Sequence, residues 1–489
     1  MIFNSFLFLL VVLPITVIGY YTMNKTNHFD LAKLFLLGMS LWFYAYANIM
    51  FLPVLAGSIL INYGFSLLFS RAHHAQTRKW LLFGAVTLNL GSLLYFKYLD
   101  FFSATINQYF GTSLLIRNLI LPLGISFFTF QQIAFLVDSY RDQNLQYRFL
   151  DYALFVAFFP KITQGPIAFH NELIPQFNDT ARKAVNYENL SKGIMAIAFG
   201  LAKKLLLADN LGAIVDWGYQ NIASLGTTNA LLVILSYTLQ IYFDFSGYCN
   251  IASGICLMLN IDLVENFNSP YKSKSIAEFW QRWHITLTRF FRTYVYFPLG
   301  GNRKGKVRTY LNMFIIFLLS GLWHGAAFTF IFWGILHGIG ICLSKLCKNF
   351  MTKVPAAIRW FGTFLFVNLA WVYFRADTIA NANLLLKQLF SFDFKPVSAD
   401  MVVWALPTEF NLLQAIILHY QPLSVYYTGA VALVVFVCIA LYAGVGMKNT
   451  HERVAAFTPK FRTSLVTIIL LIWSILSFSE VGTFLYVNF

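Results

Sequence analysis

One titratable side chain interrupts the apolar stretch "LLSGLWHGAAFTFIFWG" (318–334), and that side chain is His324. It follows Arg308 by sixteen residues, so helical rise would carry it about 20 Å into a bilayer from that basic loop. An ionisable group at this depth is costly unless it meets a partner or a cavity. A neutral imidazole can accept a proton as a general base. The sequence therefore predicts a catalytic base, with a structural hydrogen bond between helices as the alternative.

Glycines with the spacing of closely packed membrane helices surround this histidine. They form the pairs Gly321-x-x-x-Gly325 and Gly334-x-x-x-Gly338, which predict a tightly packed hairpin. His337 follows His324 by thirteen residues. That spacing corresponds to nearly the opposite face of one helix, so we do not pair the two histidines.

A second histidine, His284, lies in the segment "SIAEFWQRWHITLTRFFRTYVYFPLGGNRKGK" (275–306). Aromatic and aliphatic residues alternate there with arginines such as Arg289, a pattern typical of an amphipathic helix at a membrane interface. The arginines could equally reach the interface by extending their side chains along the helix. The glycine-rich end of the segment carries Arg303 and Lys304. It predicts either a phosphate cradle or an ordinary cytoplasmic turn.

Polar residues occur in two further apolar stretches. Asp244 lies in "YFDFSGYCN" (242–250), where it either closes a helix junction by hydrogen bonding or orients a catalytic group. Lys161 and Gln164 lie between two prolines in "FFPKITQGPI" (158–167). This stretch is a poor membrane span, and it predicts a cavity lining.

The elements that would position these residues are membrane helices. The chain has 489 residues, of which 58% are hydrophobic and 11% charged, with a mean hydropathy of +0.64. Apolar runs of membrane-spanning length recur throughout, and they predict an all-α polytopic protein of about twelve spans. The predicted spans are 2–21, 31–47, 49–69, 80–98, 114–136, 193–209, 229–247, 309–325, 327–344, 358–374, 425–446 and 464–483.

Two shorter apolar stretches, 151–167 and 249–262, contain proline or glycine and predict re-entrant helices. The basic loops 71–79, 288–308 and 345–359 lack carboxylates and should face the cytoplasm. This assignment places both termini and the segment 375–423 on the outer side.

Composition and sequence pattern argue against a metal site, a nucleic-acid partner, a cleaved signal peptide and a repeat-based transporter. The five cysteines lack metal-ligand spacing, so they predict packing residues and no metal site. The net charge of +15 lies in short loops between spans, which indicates membrane topology and no nucleic-acid partner. The first segment has no basic n-region and no cleavage site, so we expect a retained span. Internal repeats typical of transporters are absent from the sequence.

Together these motifs resemble the membrane-bound O-acyltransferase superfamily, in its bacterial alginate and peptidoglycan O-acetylation branch. The matching stretches are "LPLGISFFTFQ" (121–131), "FFPKITQGPI" (158–167), "YFDFSGY" (242–248), "ENFNSPY" (265–271), "EFWQRWHITLTRFFRTYVYFPLGGNRKG" (278–305), "GLWHGAAFTFIFWGILHG" (321–338) and "VYFRAD" (372–377). The branch more usually has Ser-Asp where this chain has Cys249-Asn250, and Ser where it has Thr286, so neither Asn250 nor Thr286 receives a role.

The resemblance implies a ring of helices around a central tunnel, in a single domain over 1–489 with its catalytic core at about 114–377. It implies a multi-pass enzyme of the bacterial inner membrane that binds no cofactor and uses acetyl-CoA as the acyl donor. The acetyl group would pass to hydroxyls of an extracytoplasmic polysaccharide, directly or through a periplasmic or membrane-anchored partner resembling SGNH hydrolases. The family's histidines fall on His324 and His284.

The substrate contacts would come from Trp323 of the Trp-His-Gly triplet and from the polar residues introduced above: Asp244, Arg289, Arg303, Lys304, Lys161 and Gln164. Two alternatives remain at this point. One is a transporter or channel for acyl groups or polysaccharide that catalyses no transfer, and the other is an acyltransferase acting on lipid or protein.

Overall fold

Helices form every regular element of the described residues. The computed structural model describes residues 3–405, 422–480 and 484–485. The first helices are α1 Leu13–Lys25, α2 Phe29–Ala47, α3 Leu52–Arg71, α4 Ala75–Phe110, α5 Ile125–Arg141, α6 Phe149–Ala157, α7 Phe159–Ile162 and α8 His170–Asn178. The central helices are α9 Tyr187–Leu201, α10 Asp209–Gln220 and α11 Thr227–Met258, with the π-helical turn Ala202–Ala208 between α9 and α10.

The remaining helices follow the interfacial segment. They are α12 Ile276–Arg282, α13 Ile285–Phe291, α14 Lys306–His324, α15 Phe328–Leu346, α16 Lys348–Met351, α17 Ala356–Arg375, α18 Ile379–Leu389, α19 Ala399–Ala405, α20 Pro422–Val445, α21 Thr450–Ala455 and α22 Phe461–Leu476. The all-α fold predicted from the sequence is confirmed.

Seven helices of the described part are long and apolar enough to cross a membrane, compared with the twelve expected. They are Phe8–Lys25, Ile49–Arg71, Ala75–Phe110, Thr227–Met258, Phe328–Leu346, Ala356–Arg375 and Tyr426–Val445. Most other predicted spans are helical but shorter or more polar. For example, α5 has 17 residues and α22 has 16. Segments 406–421 and 481–483, which include the end of the last predicted span, lie outside the described residues.

The segment 151–167 forms a buried hairpin, the shape that its predicted re-entrant insertion requires. Its first helix, α6, has nine residues, which would rise only about 14 Å. The hydroxyl of Tyr147 lies 2.9 Å from Nδ1 of His170, so the chain before α6 and the start of α8 lie side by side. The hairpin therefore enters and leaves the bundle on the same side, and its α6 and α7 residues are almost all buried.

Two predicted elements are wrong. The stretch 249–262 is not a separate re-entrant helix, because α11 continues unbroken to Met258 and the chain then runs without helix to Ser269. The span 114–136 begins too early, since α5 starts at Ile125 and residues 111–124 are not helical. In both cases the apolar composition continued across a helix boundary, which hydropathy alone cannot locate.

The helix α11 forms the centre of the bundle. Of its apolar window 89% is buried, against 17% for α3 and for α4. It runs against α9 with two glycine pairs at the crossing. A Cβ on Gly193 would lie 2.6 Å from the carbonyl oxygen of Gly254, and one on Gly200 would lie 2.7 Å from that of Gly247. The backbones therefore touch, because only glycine leaves room for this approach.

Candidate active site

The predicted interfacial helix is broken at His284. Its aromatic residues are largely buried and its arginines partly exposed, as the amphipathic pattern predicted, but α12 ends at Arg282 and α13 starts at Ile285. Between them His284 has φ 44° and ψ 53°, a left-handed conformation that is uncommon for a residue with a Cβ. Two backbone hydrogen bonds hold this break: Ile285 N donates to Asn266 O at 3.0 Å, and Asn268 N donates to Arg282 O at 2.9 Å.

The side chain of Asn266 organises the surroundings of the His284 ring. Its Oδ1 lies 3.2 Å from Nδ1 of His284. The same oxygen accepts hydrogen bonds from the backbone N of Thr286 at 3.2 Å and from its hydroxyl at 2.8 Å. All three residues are buried. A strained backbone that is braced in this way is a frequent feature of functional sites.

His324 is the last residue of α14, where the chain turns back into α15. Its ring is buried, and its recorded ring contacts are aromatic, with centroids of Trp323, Trp333 and Phe374 at 4.9, 5.1 and 5.1 Å. The indole of Trp323 also contacts the ring of His284, at 5.9 Å between centroids. The structure thus brings both predicted histidines onto one tryptophan.

The hairpin of α14 and α15 is packed as closely as the glycine spacing predicted. A Cβ on Gly321 would lie 2.4 Å from the carbonyl oxygen of Phe330 and 3.2 Å from the Cα of Gly334. His337 lies farther along α15 and accepts a hydrogen bond from Nε1 of Trp280 at 3.1 Å. Trp333 separates His337 from His324, at 4.8 Å from the former.

The backbone at the end of α14 is held by α4. Nζ of Lys97 donates to the carbonyl oxygens of Trp323 at 2.6 Å and His324 at 3.0 Å. The hydroxyl of the next residue, Tyr98, donates to the carbonyl oxygen of Leu322. The carbonyl groups at a helix C-terminus have no partner within their own helix. Here the neighbouring helix supplies the donors.

A polar cavity of about 420 Å³ reaches Asn266 from the side that the sequence predicts to be cytoplasmic. Its walls include Lys192 of α9, Cys249 and Asn250 of α11, and Glu265 in the following loop. Burial raises the pKa of the Glu265 carboxyl above its ordinary value.

A second cavity, of about 700 Å³, is apolar and lies between α4, α5 and α14. Trp323 lines it, as do Tyr98 and Leu322. His324 lines neither cavity. The ring of Trp323 lies between His324 and the apolar cavity, and Asn266 with His284 lies between His324 and the polar cavity.

Asp244 lies away from the two histidines in an ion-paired cluster. Its Oδ1 is 2.9 Å from Nζ of Lys204, which also lies 2.7 Å from Oδ1 of Asp209. Its Oδ2 accepts a hydrogen bond from the backbone N of Leu485 at 3.0 Å. The neighbouring Phe245 faces the ring of His284, with centroids 4.9 Å apart. Asp244 therefore joins the helices and the C-terminal segment.

Lys161 and Gln164 lie in the tip and descending arm of the re-entrant hairpin, and both are fully buried. Nζ of Lys161 donates to Oε1 of Gln131. Neither polar atom of the Gln164 side chain has a hydrogen-bond partner among the described residues. Gln164 lines a cavity of about 390 Å³ with Thr163 and Tyr248, as the sequence predicted for this stretch.

The predicted phosphate-binding residues separate into two groups. Arg289 forms a two-pronged ion pair with Glu172 and lies over the ring of Phe169 at 4.2 Å, so its guanidinium is occupied. Arg303 and Lys304 are exposed in the turn between the π-helical end of the interfacial segment and α14. The glycines of this turn, Gly300, Gly301 and Gly305, all have positive φ.

Comparison with known proteins identifies the family. The sequence profile of the MBOAT, membrane-bound O-acyltransferase family matches residues 41–381. The peptidoglycan O-acetyltransferase of Helicobacter pylori is 42% identical over 79% of this chain and 79% of its own length. The probable alginate O-acetylase AlgI of Pseudomonas aeruginosa is 38% identical over 80% of this chain and 75% of its own.

The chain belongs to the membrane-bound O-acyltransferase family. It is therefore a multi-pass membrane acyltransferase, and the alternative of a transporter without catalysis is set aside. A more distant relative, the teichoic acid D-alanyltransferase of Bacillus subtilis, is 30% identical over 50% of this chain and 63% of its own length. The matched region of this acyltransferase includes His284, His324 and the hairpin between α14 and α15.

Sequence reasoning missed three residues of the candidate site. Asn266 and Thr286 lie within the motifs that carry the family resemblance, but an amide and a hydroxyl give no charge signal. Lys97 was overlooked because the predicted span 80–98 placed it at the polar end of a helix. In the structure α4 continues to Phe110, so this lysine lies inside a helix, where an ionisable group indicates a function.

Proposed function

We propose that this enzyme transfers an acetyl group from acetyl-CoA in the cytoplasm toward hydroxyls of a polysaccharide outside the bacterial inner membrane. The observation that carries the proposal is the meeting of His284 and His324 on Trp323, beside a polar cavity that opens on the predicted cytoplasmic side. The names of the relatives support the acetyl group and the envelope polymer, since they act on peptidoglycan or alginate.

The donor would enter through the cavity that ends at Asn266. Polar residues of α9 and α11 line it, and the ammonium of Lys192 could bind a negatively charged group of the donor. The exposed Arg303 and Lys304 remain available for the phosphates of coenzyme A, whereas Arg289 is held by Glu172. The pantetheine arm would extend past Asn266 toward Trp323, so that the thioester lies near both histidines.

In the proposed reaction His324 removes the proton from the acceptor hydroxyl as the oxygen attacks the thioester carbon. A new C–O bond forms, the C–S bond breaks, and the coenzyme A thiolate leaves and takes up the proton. General base catalysis of this kind contributes about 10²–10⁴ in rate. His284, oriented by Asn266, would polarise the carbonyl or stabilise the developing oxyanion.

The acceptor would approach from the other side of the membrane, where Gln164 lines a cavity with an unused amide. A buried amide without a partner is costly, and a hydroxyl group could satisfy it. The acceptor is either the polysaccharide or a hydroxyl on a periplasmic or membrane-anchored partner of the SGNH-hydrolase type, which completes the transfer.

Mass spectrometry of envelope polysaccharides tests the proposal. Cells with the gene should carry acetyl esters that are lost on deletion and restored by the wild-type gene. In membranes, acetyl-CoA labelled in the acetyl group should transfer its label. Unchanged acetyl esters in the deletion strain would contradict the proposal. Transfer of an aminoacyl group with no acetyl transfer would favour the activity named for the Bacillus relative.

A further inference from the structure

The C-terminal end of α14 lacks the usual means of satisfying its own carbonyl groups. A helix commonly ends in a left-handed residue whose backbone N–H turns back to these carbonyls. Here Gly325 is extended, with φ −165° and ψ 157°, and the chain leaves directly for α15. A carbonyl group without a donor costs about 1–3 kcal/mol when buried. The structure must therefore supply donors from elsewhere.

The donors are consecutive residues of α4. Tyr98 donates to the carbonyl of Leu322, and Lys97 donates to those of Trp323 and His324 at 2.6 and 3.0 Å. Lys97 also lies 3.5 Å from Oγ of Ser126 at the start of α5. Its ammonium is 5.9 Å from the centroid of the Trp323 ring. Three helices thus meet at this one ammonium group.

Lys97 directs its ammonium to the end of α14. It is followed by thirteen more helical residues of the 36-residue α4. No carboxylate in the described part of the chain forms a salt bridge with it. The partners that offset its charge are the carbonyl dipoles at the negative end of α14. A cation placed inside a membrane helix only to reach this helix end indicates a specific task.

We propose that Lys97 is a positioning residue, which holds the main chain of His324 and thereby fixes the imidazole for acyl transfer. The inference rests on the role of His324 in the proposed function. We call the hydrogen bonds from Lys97 and Tyr98 to the end of α14 the clamp. One of them acts on the carbonyl of His324, so loss of the clamp displaces the backbone of His324 and the imidazole with it. A displacement of about 1 Å can reduce the rate about 100-fold.

The test compares Lys97→Met, Lys97→Arg and Tyr98→Phe in purified protein. Lys79→Met serves as the matched control, because it makes the same substitution at an exposed position of the same helix. We expect Lys97→Met to lower kcat per folded molecule about 10- to 100-fold while the KM for acetyl-CoA stays unchanged. Lys97→Arg should recover most of the activity, since a guanidinium can donate to the same carbonyls.

Hydrogen–deuterium exchange gives a readout that does not depend on acetylation. The amides of 318–334 should exchange faster in Lys97→Met, return toward wild type in Lys97→Arg, and stay unchanged in Lys79→Met. Wild-type kcat in Lys97→Met, a change confined to KM, or no rescue by arginine would each overturn the proposal.

If Lys97→Met does not accumulate as folded protein, Tyr98→Phe decides, because it removes one hydroxyl from the same clamp. It should lower kcat about 3-fold without affecting KM, and an unchanged kcat would overturn the proposal. His324→Ala is the reference for the underlying reaction. If His324→Ala keeps its activity, the proposed function fails. If His324→Ala is inactive but Lys97→Met is fully active, only the proposal for Lys97 fails.

Discussion

His324 and Asp244 are both polar residues inside the apolar bundle, and the structure holds them in opposite ways. The Asp244 carboxylate is bonded through its side chain to Lys204 and to the backbone of Leu485. The carbonyl oxygen of His324 accepts a hydrogen bond from Lys97, and its ring lies among aromatic rings. The Asp244 side chain therefore contributes directly to the fold, whereas the contacts described for His324 are a hydrogen bond to its backbone and aromatic rings around its imidazole.

The largest expected effect is a loss of acylation activity on substitution of His324, without the loss of stability expected in the Asp244 region. His324→Asn should lower the rate of O-acylation about 10²–10⁴-fold, because it removes the proposed general base. The free energy of unfolding should change little, since the clamp on the main chain remains. Labelled acyl transfer and thermal unfolding of the same purified sample measure both quantities.

His74→Asn is the control for this variant, because His74 is exposed before α4. A His324→Asn enzyme that retains its rate would remove the distinction between the regions. The distinction would also fail if His324→Asn lost stability in proportion to its loss of activity.

The opposite result is expected for the Asp244 region. Lys204→Met leaves two carboxylates without their shared cation, and breaking a buried pair of this kind costs about 3–5 kcal/mol of stability. The activity of the molecules that remain folded should be close to wild type. Denaturant unfolding combined with activity per folded molecule provides the measurement.

Combining Lys204→Met with Asp244→Leu and Asp209→Leu should restore part of the stability, since no uncompensated carboxylate is left buried. If Lys204→Met were as stable as wild type but inactive, Asp244 would act together with the two proposed catalytic histidines.

Asn266→Ala tests whether His284, unlike His324, depends on a side-chain partner for its position. It removes the oxygen shared by His284 and Thr286, and the strained backbone at His284 loses part of its support. We expect activity to fall about 10-fold, which corresponds to about 1.4 kcal/mol. Asn349→Ala, at an exposed amide, should have no effect. A wild-type rate in Asn266→Ala would show that His284 needs no side-chain partner.

A smaller effect is expected at the exposed turn before α14. If acetyl-CoA is the donor, as proposed, replacing Arg303 and Lys304 with glutamine should raise its KM a few-fold and leave kcat unchanged, because exposed charges would attract its phosphates without touching the acyl group. The difference between variant and wild type should shrink in high salt. Steady-state kinetics at two ionic strengths checks this, and an unchanged KM would move the phosphate site elsewhere.

The smallest effect concerns the exposed start of α2. Hydrogen bonds from Arg148, and then from Lys33, lower the pKa of Asp30 to about 2. The carboxylate pairing is complete above the unfolded value of about 4 and is lost as the pH falls through about 2. The thermal stability that Asp30 contributes should therefore decline over that window. Unfolding temperatures of wild type and Asp30→Asn should converge at the acidic end.

The sequence predicted the helical class, the re-entrant hairpin and the two histidines, because each leaves a compositional signal. Hydrophobic runs indicate membrane helices, prolines beside Lys161 indicate an incomplete span, and a histidine in an apolar helix is conspicuous. Helix ends were less predictable. The 32-residue α11 continues past the glycine that suggested a break, and its backbone packs against α9 as far as Gly254.

The contacts that build the site were beyond sequence reasoning. The pairing of Asp244 with Lys204 joins residues 40 positions apart, and that of Lys97 with His324 joins residues 227 apart. Neither pair has a local spacing that would reveal it. The left-handed backbone at His284 was also hidden, since it depends on hydrogen bonds from the loop at Asn266 and not on a glycine.

The touching backbones of α9 and α11 restrict how such an enzyme can work. At Gly193 and Gly200 there is no space for even a methyl group, so one helix cannot slide or roll past the other without a collision of main-chain atoms. A transporter that rocks its two halves needs an interface that can move, whereas the contact between α9 and α11 leaves no room for such movement.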